Sequence, residues 1–159
     1  MPKKLNSMRW LEQRQIPYEV IEFDDSIHSA EGVAAFIGTS PEHVYKTLVV
    51  LPEGKSKPML VMLAGDRSLD LKALAKAVGY KRVEMASHQM AEKLTGLKVG
   101  GISALALTAK NWPIYIDEAA LALESLYMSA GQRGINLKVP VKPLIEALQI
   151  KVVACASPA

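Results

Sequence analysis

The chain has 159 residues, of which 50% are hydrophobic and 22% charged, the composition of an ordinary globular domain. Its formal charge of +3 permits a phosphate-bearing partner without demanding one, because strong nucleic-acid binders concentrate far more positive charge. The single cysteine, Cys155, excludes an intramolecular disulfide, and no run reaches the roughly 20 apolar residues of a membrane helix or resembles a signal peptide. We therefore expect one soluble, cytoplasmic domain over residues 1–159, with no membrane contact and no metal or other cofactor.

The first half of the chain mixes helical and strand patterns. Apolar residues at three- and four-residue spacing predict helices, apolar β-branched runs predict strands, and serine caps and glycines mark helix ends. The polar loop over residues 52–58 joins two strands into an antiparallel hairpin. The predicted elements are a helix of Leu5, Met8 and Leu11 ended by Pro17, a strand over 18–23, a helix from its Ser29 cap to Gly38, a helical turn at Ser40-Pro41, hairpin strands over 44–51 and 59–63, a helix of Leu71, Leu74, Ala75 and Val78 ended by Gly79, a strand over 82–85 and a helix from Ser87 to Gly96.

The second half is richer in strands, each short and bounded by Gly, Pro or Asn. The strict helix–strand alternation of a parallel sheet is absent, so the pattern favours an α+β domain over a doubly wound sheet. The predicted elements are strands over residues 102–108, 114–117, 123–129 and 135–139, a helix over 143–148 and a strand over 151–154.

Standard catalytic signatures are missing from the sequence. It contains no G-x-S-x-G elbow, no H-E-x-x-H, no P-loop and no dinucleotide-binding fingerprint. The three histidines, His28, His43 and His88, are widely spaced and have no cysteine partners, which argues against a zinc site. No pair of nucleophile and general base can be recognised.

Lys46 occupies an anomalous position. On the predicted strand, alternation places it on the same face as Val44, Leu48 and Val50. A lysine among aliphatic neighbours costs free energy unless it pairs, extends to solvent or lines a pocket. Two interpretations stay open: an edge-strand lysine that reaches solvent, and a pocket lysine that binds an anionic or carbonyl oxygen.

Two glycine-bearing segments are candidates for the rest of a pocket. Val99-Gly100-Gly101-Ile102-Ser103 offers backbone N–H groups with little side-chain cover. Ser129-Ala130-Gly131-Gln132-Arg133-Gly134 offers a hydroxyl, further N–H groups and a guanidinium. Taken alone, both segments are better explained as turns between strands.

Five short strings in the chain, taken together, resemble the YbaK family. Each string is weak alone, but their common order and spacing are specific. Gly65 and the helix over residues 69–79 resemble the same family, so the likeness covers most of the chain. The strings are Tyr45-Lys46-Thr47-Leu48, Val83-Glu84-Met85-Ala86, Thr95-Gly96, Val99-Gly100-Gly101-Ile102-Ser103 and Tyr127-Met128-Ser129-Ala130-Gly131-Gln132-Arg133-Gly134.

The resemblance implies the fold of the editing domain of bacterial prolyl-tRNA synthetase, which free-standing deacylases of Cys-tRNA(Pro) or Ala-tRNA(Pro) share. That fold is a mixed, strongly curved, largely antiparallel sheet flanked by helices, with the pocket beside the lysine strand. The lysine positions the terminal adenosine and the aminoacyl ester, and the attacking group is water or the thiol of a cysteine substrate. The implied partners are the acceptor end of aminoacyl-tRNA and prolyl-tRNA synthetase.

The resemblance also implies roles for individual residues. Lys46 is the expected catalytic residue, since its cation would stabilise the oxygen on which charge develops. A helix-entry histidine at His28 and a solvated arginine at Arg133 are alternatives to their implied roles. The implied substrate-binding residues are Thr47, His28, Gly100, Gly101, Ile102, Ser103, Ser129 and Gly131, and Arg133 is implied to contact tRNA phosphates.

The sequence departs from the family pattern at four positions. Ala104 stands where the first loop often has proline, and Phe23 stands where some members have tyrosine. The second loop usually reads G-G-K-R-G, and here Ala130 replaces a glycine and Gln132 replaces the lysine, so one flexible residue and one positive charge are lost. These changes bear on amino-acid specificity more than on the reaction class. The favoured function is trans-editing hydrolysis of Cys or Ala from tRNA(Pro). The alternatives are a non-catalytic module that binds the tRNA acceptor end or a nucleotide, and a hydrolase of small esters or thioesters.

Overall fold

The computed structural model describes residues 4–54 and 56–158. Residues 1–3, Lys55 and Ala159, which belong to the predicted domain and hairpin loop, lie outside the described residues. The helices are α1 (Asn6–Gln13), α2 (Ala30–Ile37), α3 (Leu71–Val78), α4 (His88–Thr95) and α5 (Val141–Leu148). The strands are β1 (Glu19–Glu22), β2 (Tyr45–Pro52), β3 (Met59–Ala64), β4 (Arg67–Leu69), β5 (Val83–Met85), β6 (Ile114–Asp117), β7 (Ser125–Gln132), β8 (Ile135–Pro140), β9 (Lys151–Val153) and β10 (Ala156–Pro158).

A five-stranded sheet in the order β5-β2-β3-β6-β9 forms the centre of the structure. β5, β2 and β3 are antiparallel, whereas β3, β6 and β9 are parallel. β5 is short and pairs only with residues 50–52 of β2. On the edge that faces away from β3, the Val49 carbonyl oxygen accepts a hydrogen bond from the Ala86 N–H at 3.0 Å, and Val44 forms an isolated parallel bridge with Tyr127. Between these two contacts, residues 45–48 of β2 have no partner strand in the described part of the chain.

Two smaller sheets complete the strand pairing. One is antiparallel in the order β1-β8-β7, and a bulge interrupts its β7–β8 register between Ser129 and Gln132. The other pairs β10 with β4. The structure confirms the predicted α+β class and the mixed, largely antiparallel pairing with flanking helices, although the strands are divided among three sheets.

The central sheet is buried on both faces because successive residues of its strands alternate between two clusters. Leu60 and Met62 of β3 face a large core that they share with the three-stranded sheet and with helices α1 and α5. Val61 and Leu63 face a second core against α3. A strand with aliphatic side chains on both faces cannot shift its register without breaking one core, so β3 holds its neighbour β2 in a fixed position.

The helix ends agree with the predicted caps. The Ser29 and Ser87 hydroxyls accept hydrogen bonds from the backbone N–H groups of Gly32 and Met90, at 2.9 and 3.1 Å. Gly38, Gly79 and Gly96 follow α2, α3 and α4 in the left-handed conformation. These caps fix where α2 and α4 begin, and both starts lie beside the site described below.

The strand predicted over residues 102–108 is wrong. Short 3₁₀ turns cover Ala104–Ala106 and Thr108–Lys110 instead. The reason is local, because the Ser103 hydroxyl accepts a hydrogen bond from the Leu105 N–H at 3.1 Å and starts the first turn.

Among the described residues, none of the helices has the length and hydrophobicity that a membrane span requires.

Candidate functional site

A cavity of about 230 Å³ lies along the unpaired edge of β2. Residues 45–49 of β2 form one wall, and the start of α2, the loop after α4, β5 and the three-stranded sheet contribute the others. The cavity thus occupies the space that a partner strand would take. Because peptide groups on an open strand edge lack ladder partners, they are available to a bound molecule. The predicted site residues that line the cavity are His28, Lys46, Thr47, Gly100, Ile102 and Ser129.

Lys46 is half-buried in the wall of this cavity. It lies opposite Leu63 on β3, and its Nζ donates a hydrogen bond to the carbonyl oxygen of Arg67 at 2.7 Å. Partial burial lowers the pKa of the Lys46 ammonium, whereas the negative charges of Glu31 and Asp66 act in the opposite direction. These carboxylates therefore favour the charged form. Lys46 is a cation held at a cavity wall, and its catalytic role stays a prediction.

Gly65 brings the start of α2 close to the lysine. A Cβ on Gly65 would lie 2.8 Å from the Cβ of Ala30, so only glycine lets the first turn of α2 pack directly on the end of β3. Gly65 also donates its N–H to the carbonyl oxygen of Val44 at 2.8 Å, which ties the turn after β3 to the residue before β2. His28 and Glu31 reach the cavity wall from this helix start.

The loop after α4 forms a second wall through Gly100. Its φ of +91° lies in the left-handed region, and an added Cβ would be 3.1 Å from both the Cα and the carbonyl oxygen of His28. Glycine is therefore required for two reasons, the backbone conformation and the close approach of His28. Ile102, which is 8% exposed, covers the same wall with an aliphatic side chain.

The loop between β7 and β8 supports the loop after α4. The Nε of Arg133 donates a hydrogen bond to the carbonyl oxygen of Val99 at 2.6 Å, and a Cβ on Gly101 would lie 2.9 Å from the backbone nitrogen of Arg133. Ser129 lines the cavity, and its hydroxyl accepts a hydrogen bond from the Gly131 N–H at 3.1 Å. The two loops are thus packed against each other, backbone to backbone.

Four predicted site residues lie behind the cavity wall. The Gly101 N–H donates to the carbonyl oxygen of Lys98 at 2.7 Å, and the Ser103 hydroxyl caps the first 3₁₀ turn. Gly131 has a φ of +109°, and a Cβ there would lie 2.8 Å from the Cβ of Ala106. Arg133 bonds to the neighbouring loop. In this structure these residues shape the two loops, and their contacts with substrate or tRNA stay predictions.

Comparison with known protein families shows the family to which the chain belongs. The family described as the aminoacyl-tRNA editing domain matches residues 24–147. The chain belongs to this family. The editing domain is also similar to EbsC of Enterococcus faecalis, which is described as a proposed Cys-tRNA(Pro)/Cys-tRNA(Cys) deacylase. The two are 36% identical over 146 residues, which cover 90% of this chain and 87% of EbsC. The predicted resemblance is confirmed.

The editing domain is also similar to part of a proline–tRNA ligase and to a solved structure. A proline–tRNA ligase of Geotalea daltonii is 31% identical over 110 residues, and the match covers 69% of this chain but 18% of the ligase. A solved structure described as a proposed trans-editing enzyme for prolyl-tRNA synthetase superposes with a TM-score of 0.79 at 22% identity. That superposition covers 98% of this chain and 99% of the other, and it shows that the fold is the same.

Sequence reasoning did not assign to the site five residues with polar groups that line the cavity of the editing domain, namely Ser29, Glu31, Tyr45, His88 and Asn136. Asn136 is 5% exposed, lies opposite Ser129 on β8 and interrupts an apolar strand, which is the same kind of signal that singled out Lys46. Glu31 gave no such signal, because an acidic residue in a first helical turn is ordinary near the positive end of the helix dipole.

The four departures from the family pattern lie outside the described lining of the cavity in the editing domain. Ala104 and Ala130 are buried in the large core, and Gln132 is exposed at the end of β7. The Phe23 ring packs against Phe36, with 6.1 Å between the ring centroids.

Proposed function

We propose that this editing domain hydrolyses mischarged aminoacyl-tRNA and removes Cys or Ala from tRNA(Pro). The observation that carries the proposal is the Lys46 ammonium in the wall of a cavity at an open strand edge. Membership of the editing family and 36% identity to EbsC support it. The similarity to part of a proline–tRNA ligase supports prolyl-tRNA synthetase as the partner that delivers the tRNA. We place the reaction in the cytoplasm, where tRNA is charged.

The chemistry is cleavage of the ester between the amino acid and the ribose of the terminal adenosine. The attacking oxygen or sulfur forms a bond to the carbonyl carbon, and negative charge collects on the former carbonyl oxygen. The carbon–oxygen bond to the ribose then breaks, and the ribose oxygen takes up the proton that the attacking water or thiol releases. Attack by water leaves the free amino acid, whereas attack by the substrate thiol leaves a cyclic thioester that water opens in a second step. In this proposal the Lys46 ammonium exchanges its bond to the Arg67 carbonyl for a bond to a substrate oxygen as that charge develops.

The attacking group does not come from the cysteine of the chain. Cys155 is 1% exposed and lies in the second core, away from the described cavity lining. Burial, together with the charge of Asp117, raises the pKa of its thiol to about 12, so the thiolate does not form near neutral pH. The attacking group in the proposal is water or, with Cys-tRNA(Pro), the thiol of the substrate itself.

Deacylation of a panel of mischarged tRNAs tests the proposal. The wild-type protein should cleave Cys-tRNA(Pro) or Ala-tRNA(Pro), and Lys46→Ala should be slower by about 10²–10³, the usual effect of losing one preorganised donor. Lys76→Ala, which removes an exposed lysine of α3, is the matched control and should keep the wild-type rate.

Other results would identify the alternatives. Salt-dependent tRNA binding without cleavage of any charged tRNA would indicate a binding module. Cleavage of free esters but not of charged tRNA would indicate a small-molecule hydrolase. If Lys46→Ala cleaved as fast as the wild type, the assignment of the site would be wrong.

A further inference from the structure

We infer that Glu31 binds the α-ammonium group of the aminoacyl ester and thereby selects substrates whose amine is free. This inference rests on the proposed function, since it assigns a further specificity residue to the same cavity. It starts from the charges that face the cavity. Among the described lining residues, Lys46 supplies the ammonium and Glu31 the only carboxylate.

The Glu31 carboxylate is free to accept a ligand. It is exposed on the first turn of α2, and no side-chain hydrogen bond or salt bridge joins it to another described residue. Its helix is firmly held, because Ser29 caps the first turn and Ala30 packs on Gly65. Glu31 therefore projects a single negative charge from a fixed backbone.

The positions of Glu31 and Lys46 are linked through the turn after β3. Ala30 contacts Gly65 at the start of this turn, and two residues later the Arg67 carbonyl accepts the hydrogen bond from the Lys46 Nζ. The cavity thus has an anion and a cation anchored on either side of one short turn. The Glu31 charge acts to raise the pKa of Lys46, which agrees with the proximity of the two side chains.

An aminoacyl ester matches this pair of charges. An α-amino group at a peptide terminus has an ordinary pKa of about 7.7–8.0, and the adjoining ester lowers it, so the amine of an aminoacyl ester is protonated in part near neutral pH. The ester oxygens and the adjoining phosphates are the acceptors that suit Lys46. With the ester held by Lys46, the α-ammonium, one carbon away from the carbonyl, needs an acceptor close by, and a carboxylate is a strong one. An N-acylated ester has no such cation and leaves Glu31 without a counter-charge.

The test compares two substrates that differ only at the amine. Ala-tRNA(Pro) and N-acetyl-Ala-tRNA(Pro) are cleaved by the wild type, Glu31→Gln, Glu31→Lys and the control Glu146→Gln, which removes an exposed carboxylate of α5. The ratio of kcat/KM for the two substrates is compared between variants, so that the different intrinsic reactivity of the esters cancels. If Cys-tRNA(Pro) is the better substrate, the cysteine pair replaces the alanine pair.

Glu31→Gln should lower kcat/KM for the free-amine substrate by about tenfold, the equivalent of about 1.4 kcal/mol, and leave the N-acetyl substrate within about twofold. Glu31→Lys should lower the free-amine rate further, and Glu146→Gln should change neither. An unchanged ratio in Glu31→Gln would overturn the inference. So would an equal loss on both substrates, which would show that Glu31 acts only through the charge of Lys46. A wild type that cleaves no charged tRNA would overturn the proposed function itself, and the inference with it.

Discussion

Replacement of Gly100 by alanine tests whether the close packing of two chain segments shapes the cavity. The backbone at Gly100 has a φ of +91°, a conformation that costs a residue with a Cβ about 1–3 kcal/mol. The new Cβ would also lie 3.1 Å from the Cα and carbonyl oxygen of His28, atoms that cannot rotate away. Overpacking of this kind adds about 1–3 kcal/mol, so Gly100→Ala should lower the free energy of unfolding by about 2–6 kcal/mol in all.

Gly79→Ala separates these two costs. Gly79 has a φ of +85°, and no described atom lies within 4 Å of a Cβ built there, so this variant carries the conformational cost alone. Urea unfolding followed by tryptophan fluorescence or circular dichroism measures both variants. Gly100→Ala should be the less stable by at least about 1 kcal/mol, or about 2–4 °C in Tm for a chain of this size. If the two variants lost the same stability, the contact between Gly100 and His28 would not be the tight one described.

Two further predictions concern the loops and the buried ionisable groups. Arg133→Ala should lower the free energy of unfolding by about 1.5–3 kcal/mol, because it removes the hydrogen bond from the guanidinium to the Val99 carbonyl. Urea unfolding measures this loss, and an unchanged unfolding midpoint would contradict the prediction. The free energy of unfolding should also fall as the pH rises from about 9 towards 12. Burial raises the pKa of Cys155 from 9.0 to about 12 and that of Tyr45 from 10.0 to about 12. In this pH range the folded chain therefore keeps protons that the unfolded chain has released, which favours unfolding. Cys155→Ala should reduce this alkaline loss in pH-dependent unfolding measurements, and an identical pH profile in the variant would refute the assignment.

Local signals in the sequence were sufficient for much of the fold. The spacing of apolar residues in α3 and the caps at Ser29 and Ser87 act within a few residues, so each could be recognised from its own neighbourhood. The same holds for Lys46, since a charge on an aliphatic strand face is visible as a break in the alternation. The position of Lys46 in the cavity wall then follows from the register of β2 against β3.

Most of the features that were missed depend on contacts between distant segments, whereas the turn that follows Ser103 depends on a local hydrogen bond. The pairing of β4 with β10 joins Arg67 to Pro158, near the end of the described chain, and neither strand is long enough to show a pattern. A turn lies where a strand was predicted, because the hydrogen bond that the Ser103 hydroxyl accepts from the Leu105 N–H competes with strand pairing. Glu31 lines the cavity because its helix packs on Gly65, a residue far from it in the sequence.

The most direct measurement of the central claim is the distance from the Lys46 Nζ to the ligand in a structure with a non-hydrolysable aminoacyl-adenosine analogue. The account predicts that the Nζ leaves the Arg67 carbonyl, now 2.7 Å away, and lies about 3 Å from an ester or phosphate oxygen of the analogue. An analogue bound elsewhere, with the Nζ still on the Arg67 carbonyl, would contradict it.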